Sequence, residues 1–124
     1  MQYLMTINID ESLVAELPAA EYDELMRGCL SHADELRRDG KLLVSQQLEP
    51  PATAKTLRVR HGKMQIVDGP FAETKELLAG FNLLQADNID EAIRIAQAFP
   101  WAQFGSIEVR PVHDMDAERR RVGA

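Results

Sequence analysis

Two segments with helical spacing, each flanked on both sides by segments of alternating hydrophobicity, constrain this 124-residue chain more than any other feature. Residues 2–9 alternate: Tyr3, Met5, Ile7 and Ile9 share one face, and Leu4, Thr6 and Asn8 the other. A period of two predicts a strand. Residues 19–38 then place Tyr22, Leu25, Met26, Cys29, Ala33 and Leu36 at helical intervals, a single apolar stripe. Glu21, Asp23 and Glu24 in its first turn and Arg37 and Arg38 in its last suit the helix dipole. Gly40 supplies the stop. Residues 41–48 return to period two, with Leu42, Val44, Gln46 and Leu48 on one side and Leu43, Ser45 and Gln47 on the other, until Pro50-Pro51 ends them.

The same order occurs again further along. Residues 78–86 read as a strand through Phe81, Leu83 and Leu84. Asn88 with Glu91 three residues on makes a capping-box-like start. Ile89, Ala92, Ile93 and Ala96 form the stripe of a second helix, closed by Pro100, and residues 105–112 form the last strand. In that strand Ile107 and Val109 are expected inward and Glu108 and Arg110 outward. Between the two halves, residues 56–60 and 64–67 form a hairpin across His61-Gly62-Lys63, and Asp68-Gly69-Pro70 breaks the pattern. With the hairpin set aside, the order is that of a ferredoxin-like α+β domain with an antiparallel sheet. One domain is expected over residues 1–113, with a polar tail at 114–124. Two helices cover one face of such a sheet. The other face, expected to carry Leu4, Leu43 and Leu84, meets water or a second copy.

Composition narrows the partners. The net charge of −6 argues against nucleic acid or an anionic membrane as the main surface met. The basic run Arg119-Arg120-Arg121 is short and follows Asp114 and Asp116. A single cysteine, Cys29, allows no internal disulfide. The N-terminal residues lack a basic region followed by a long apolar run, and no stretch approaches the ~18 apolar residues of a membrane helix. A cytoplasmic protein is expected.

Candidate chemistry gathers around one turn. Asp68 precedes Gly69, Pro70 and Phe71. It reads either as a turn cap or as a carboxylate raised in pKa by apolar neighbours and suited to acid/base work. Glu73, Lys75 and Glu76 follow, either as a surface ion-pair cluster or as a seat for an anionic substrate. Arg58 and Arg60 share one strand face and could grip a carboxylate or phosphate, or pair with Glu108. Glu108 and Arg110 suit cross-strand pairs. His61 suits the hairpin turn, His32 the flank of the helix stripe, and His113 the start of the tail. Cys29 lies on the stripe, where an inert core thiol is expected. Three scattered histidines and one cysteine support no metal site. No Gly-rich phosphate loop and no nucleophile elbow is present, so no cofactor is expected.

The stretch Val67-Asp68-Gly69-Pro70-Phe71-Ala72-Glu73-Thr74-Lys75-Glu76 resembles the signature of the DGPF-type members of the YCII-related family. Gly40-Lys41-Leu42-Leu43, then Leu48-Glu49-Pro50-Pro51 with Thr56-Leu57-Arg58-Val59-Arg60, and finally Gly105 to Pro111 agree with its other blocks in order. The resemblance implies a bacterial protein, a homodimeric α/β barrel built through the sheet faces, and no settled biochemical function. It also implies company with alternative sigma factors, a regulatory setting. In the wider family a His-Asp pair is the proposed catalytic dyad, with the His on the first long helix and the Asp just before the Pro that closes the second. Counted back from Gly40, the His position falls on Cys29, with His32 one turn later. The residue before Pro100 is Phe99. The dyad therefore does not carry over. Two functions follow as expectations. One is a small-molecule binding or regulatory module, its ligand a small anion held by Arg58, Arg60, Glu73 and Lys75. The other is an enzyme acting on a small acidic or carbonyl metabolite with Asp68 as acid or base.

Overall fold

The structure, a computed structural model, describes residues 1–71 and 74–124. Strand β1 (Gln2–Ile9) runs into a short helix α1 (Glu11–Ala15) and the long helix α2 (Ala19–Arg38). Strand β2 (Leu42–Gln47) follows, then the hairpin strands β3 (Lys55–Arg60) and β4 (Lys63–Asp68). Strand β5 (Leu77–Gln85), helix α3 (Ile89–Gln97), strand β6 (Gly105–Pro111) and a last helix α4 (Met115–Val122) complete the chain. Four strands form one antiparallel sheet in the order β2-β5-β1-β6, and β3 and β4 form a second sheet of their own. This is the ferredoxin-like arrangement the sequence predicts, with the hairpin outside the main sheet.

The alternation in β1 becomes burial: Tyr3, Met5 and Ile7 are all buried. They pair with Leu84, Asn82 and Gly80 of β5, so those residues share the helix-covered face. Ala33 and Leu36 of α2, with Ala92, Ile95 and Ala96 of α3, close over them. Phe99, Trp101 and Phe104, the last two from a 3-10 turn over Pro100–Phe104, fill the end of the same core.

Register corrects three expectations. Leu84 is completely buried on the helix face instead of lying on the open one. Phe81, Leu83 and Leu84 make β5 apolar on both sides, so its own alternation cannot choose a face; pairing with β1 does. Leu83, opposite Leu4, takes the open position. In β2 the register shifts between Leu42 and Val44. This extra residue reverses the parity, sending Leu42 to the core and Val44 to the open face. In α3 the buried stripe is Ala92, Ile95 and Ala96, while Ile93 is left exposed beside a shallow hollow that Ile107 and Val109 also line.

The open face thus carries Leu4, Val44 and Leu83 with Phe81 and Leu78. Leu43, placed there by the sequence, is the residue the bulge adds, and it too is exposed. Residues 114–124, expected as a polar tail, hold α4. Asp114 caps it by accepting from the N–H groups of Asp116 (3.0 Å) and Ala117 (3.1 Å), and Gly123 ends it. Its polar circumference gives no period to read.

Gly105 opens β6 where that strand meets β1. A Cβ there would lie 2.0 Å from the Asn8 carbonyl oxygen. Gly105→Ala should therefore lower stability by about 3 kcal/mol, because backbone on both sides must shift. Gly28, in α2 with nothing within 4 Å, is the contrast. Gly28→Ala should raise stability by up to about 1 kcal/mol. Urea unfolding midpoints of the two variants check both signs.

Candidate functional site

The hairpin is built by a two-residue turn. His61 (φ 53°) and Gly62 (φ 74°) both take the left-handed conformation that matches strand twist, and Arg60 pairs with Lys63 across it. At the other end β4 stops at Asp68, opposite Lys55. Gly69 takes φ 97°, which a side chain would resist. Its N–H donates to the Ala54 carbonyl (2.7 Å), and its carbonyl accepts from the Thr56 hydroxyl (2.8 Å). The Arg58 guanidinium donates to the Phe71 carbonyl (2.9 Å). Three bonds thus fasten the Asp-Gly-Pro-Phe turn back onto β3.

None of these bonds uses the Asp68 carboxylate. Its side chain is 82% exposed and takes its partner from across the strands, the Lys55 ammonium. It neither caps the turn nor lies in an apolar pocket. Arg58 and Arg60 are exposed on one face of β3. Arg58 is engaged by Phe71, and Arg60 donates to the Val59 carbonyl (2.9 Å). Glu108 pairs with Arg110 on its own strand (2.6 Å). Glu73 lies outside the described residues. Lys75 meets Asp10, its ammonium 3.6 Å from Oδ2.

Asp10 is the buried carboxylate that sequence reasoning missed. It ends β1 and caps α1. Its Oδ1 accepts from the Ser12 hydroxyl (2.6 Å) and the Ser12 N–H (3.0 Å), and its own N–H donates to the Phe104 carbonyl (2.8 Å). The Ser12 hydroxyl does most to hold the Asp10 carboxyl below the usual range. Burial opposes it, and the Ser12 N–H and Lys75 reinforce it. At the same end of the sheet Ser106 donates to Glu76 (2.6 Å). The Asp-x-Ser spacing after a strand was the available signal, since that pattern caps a helix. An ionised carboxylate so fully bonded orders the chain and has no proton to exchange at neutral pH.

A second gathering lies under α2. The Trp101 indole donates to the Cys29 sulfur (3.3 Å). The His32 ring meets Phe99 edge-on, with centroids 5.0 Å apart. Tyr22 and Phe104 pack at 6.1 and 6.2 Å from Trp101. The His32 Nε2 is buried without a hydrogen-bond partner. Burial pushes the Cys29 thiol up, with the Trp101 bond opposing. Among the described residues no three His, Cys, Asp or Glu side chains are grouped so as to hold a metal ion, and no helix is long and apolar enough to cross a membrane.

A profile of the YCII-related domain matches residues 1–116. The chain belongs to the YCII-related family. An uncharacterised protein of Rhizobium meliloti (strain 1021) is 37% identical over 114 residues, which cover 90% of this chain and 92% of that one. The solved structure of 5-chloro-2-hydroxyhydroquinone dehydrochlorinase (TftG) from Burkholderia phenoliruptrix AC1100, in complex with 2,5-dihydroxybenzoquinone, superposes with a TM-score of 0.50. That likeness covers 94% of this chain and 98% of the other at 16% identity, and it concerns the fold.

In this YCII-related chain, the helix position that the resemblance gave to a His carries Cys29, and the position before Pro100 carries Phe99. The fold brings both into one aromatic cluster, each beside a different partner.

Two outcomes follow. Cys29 should alkylate slowly in the native protein and fast in denaturant, because its proton is held more tightly in the folded state. For the same reason its contribution to stability is fully present below the ordinary thiol value and is lost as pH rises through the raised value of the folded state. Asp10 has the opposite sign. Its lowered pKa contributes stability above the unfolded carboxylate value, and this is lost as pH falls through the folded value. Asp10→Asn should therefore flatten the acid limb of a stability–pH curve; an acid limb identical to that of the parent protein would contradict the assignment.

Proposed function

We propose that this YCII-related protein is a small-molecule binding or regulatory module that works as a homodimer through its open sheet face, without acid/base turnover at Asp68. The observation that carries the reading is the position of Asp68. A carboxylate at 82% exposure beside a lysine stands in solvent, with no apolar wall around it and no seat for a reacting atom. Arg58 and Arg60, each bonded to a backbone carbonyl, remain near enough to solvent to meet a small anion, which is the ligand class proposed. The apolar open face, with Leu4 36% and Val44 37% exposed, supports the dimer. Regulation beside a sigma factor is the setting the family resemblance suggests. A cytoplasmic location accords with the reading. An enzyme using Asp68 on an acidic or carbonyl metabolite is the alternative. The dehydrochlorinase likeness, at 16% identity, lends it a fold and no residues.

The test joins mass, ligand and variant. Sedimentation should give about twice the chain mass of 13.9 kDa. A metabolite screen should return ligands that bind the parent protein and Asp68→Asn alike, with stability changed by about 0.5 kcal/mol or less, as for an exposed ion pair. A turnover that appears with a screened compound and disappears in Asp68→Asn would replace the module with the enzyme.

A further inference from the structure

We propose that the β3–β4 hairpin is an arm whose apolar face packs on the body of a second copy of this chain. The proposal rests on the homodimer reading above and adds a surface to it. Pairing places Leu57 opposite Ile66 and Val59 opposite Met64, so four large apolar side chains share one face of the hairpin. They are exposed at 58, 66, 55 and 60%. Among the described residues nothing covers that face, and the two strands join no other strand. A two-stranded hairpin is marginally stable alone in water. The bonds from Gly69, Thr56 and Arg58 tie its two ends together only at the base.

Charge selects the occupant. Between residues 55 and 68, Lys55, Arg58, Arg60 and Lys63 stand against Asp68 alone, a net of +3. The whole chain carries −6, which leaves −9 for the remainder. Two hairpins would repel each other. The acidic body of another copy attracts the arm, and α2 offers exposed Glu21, Asp23 and Glu24 in its first turns. Arg58, Arg60 and Lys63 lie on the opposite face and at the turn, where their long stems can reach around the edge of the contact, and Lys55 stands on the apolar face at its base, paired with Asp68.

Dimer dissociation constants from sedimentation equilibrium separate this proposal from the reading it rests on. The sheet-face variant is Leu4→Asp with Leu83→Asp, and the arm variant is Leu57→Asp with Ile66→Asp. A second arm variant, Arg60→Glu with Lys63→Glu, alters only exposed charges beside the turn. Circular dichroism verifies the fold of each. The expected result is a Kd about tenfold higher or more for either arm variant, and loss of salt dependence in the charge variant. If the sheet-face variant dissociates while both arm variants keep Kd within roughly twofold of the parent, the arm proposal fails and the homodimer stands. If the parent is a monomer, both fail. Carbodiimide cross-linking of dimers mixed from light and 15N-labelled chains gives a second readout. Lys63 should link to body carboxylates in mixed-isotope pairs, with Lys55–Asp68 as the internal, single-isotope control. Lys63 links confined to one isotope would overturn the arm.

Discussion

Strand β1 meets β5 with Tyr3 opposite Leu84, Met5 opposite Asn82 and Ile7 opposite Gly80, and the rest of the molecule takes its orientation from that register. β1 has a clear alternation and β5 does not, so β1 decides which side of β5 faces the helices. Both strands are central in the sheet, so the choice passes outward to β2 and β6. A slip of one residue would turn one strand over relative to the other, burying Leu83 in place of Leu84 or Leu4 and Thr6 in place of Tyr3 and Met5. The buried Asn82 shows what the chosen register costs. Its Oδ1 has no hydrogen-bond partner, and leaving a buried polar atom unpaired costs about 1–3 kcal/mol. The apolar neighbours on the same face outweigh it.

The same register places the polar ends. β1 stops at Ile9 opposite Gly105, so the next residue, Asp10, arrives beside Phe104 and bonds its carbonyl. That contact, together with the Ser12 cap, turns the chain into α1 and leads it toward α2. Gly105 has no side chain because β1 and β6 meet there too closely for one. The hairpin lies outside this system. The backbone of its strands is paired internally, and the bonds at its base join its own two ends.

Much of the fold was legible because its elements have strong local periods. β1, α2, β2, β6 and both hairpin strands lie within a residue or two of where alternation and helical spacing put them. The Asn88 cap marked the start of α3, and its side chain accepts from the Glu91 N–H at 2.9 Å. What stayed hidden depends on partners distant in sequence. The β2 bulge exists only relative to β5, and the burial of Ile95 over Ile93 follows from where α3 meets the sheet. The candidate site was less legible than the fold. A turn motif such as Asp68-Gly69-Pro70-Phe71 states its backbone geometry locally, and Gly69 has the positive φ this demands. It does not state whether the carboxylate points into protein or water. Asp10 gave the reverse case: its cap was readable, but its burial needs Phe104 and Lys75, which are far along the chain.

The aromatic cluster bears on why the family dyad has no counterpart here. Phe99 is 4% exposed and meets the His32 ring, and Trp101 occupies Cys29. A carboxylate in place of Phe99 would enter that packing beside an imidazole whose Nε2 is already unpartnered. Burying such a charge without a full set of donors costs several kcal/mol, unless the imidazole is charged and close enough to pair. A histidine in place of Cys29 would in turn displace the indole bond and crowd Tyr22 and Trp101. Neither half of the dyad fits without the other and without room for water or ligand. The cluster as it stands resolves this by excluding charge: sulfur accepts the indole N–H, and rings fill the volume. In this chain the space between α2 and the turn after α3 serves as core.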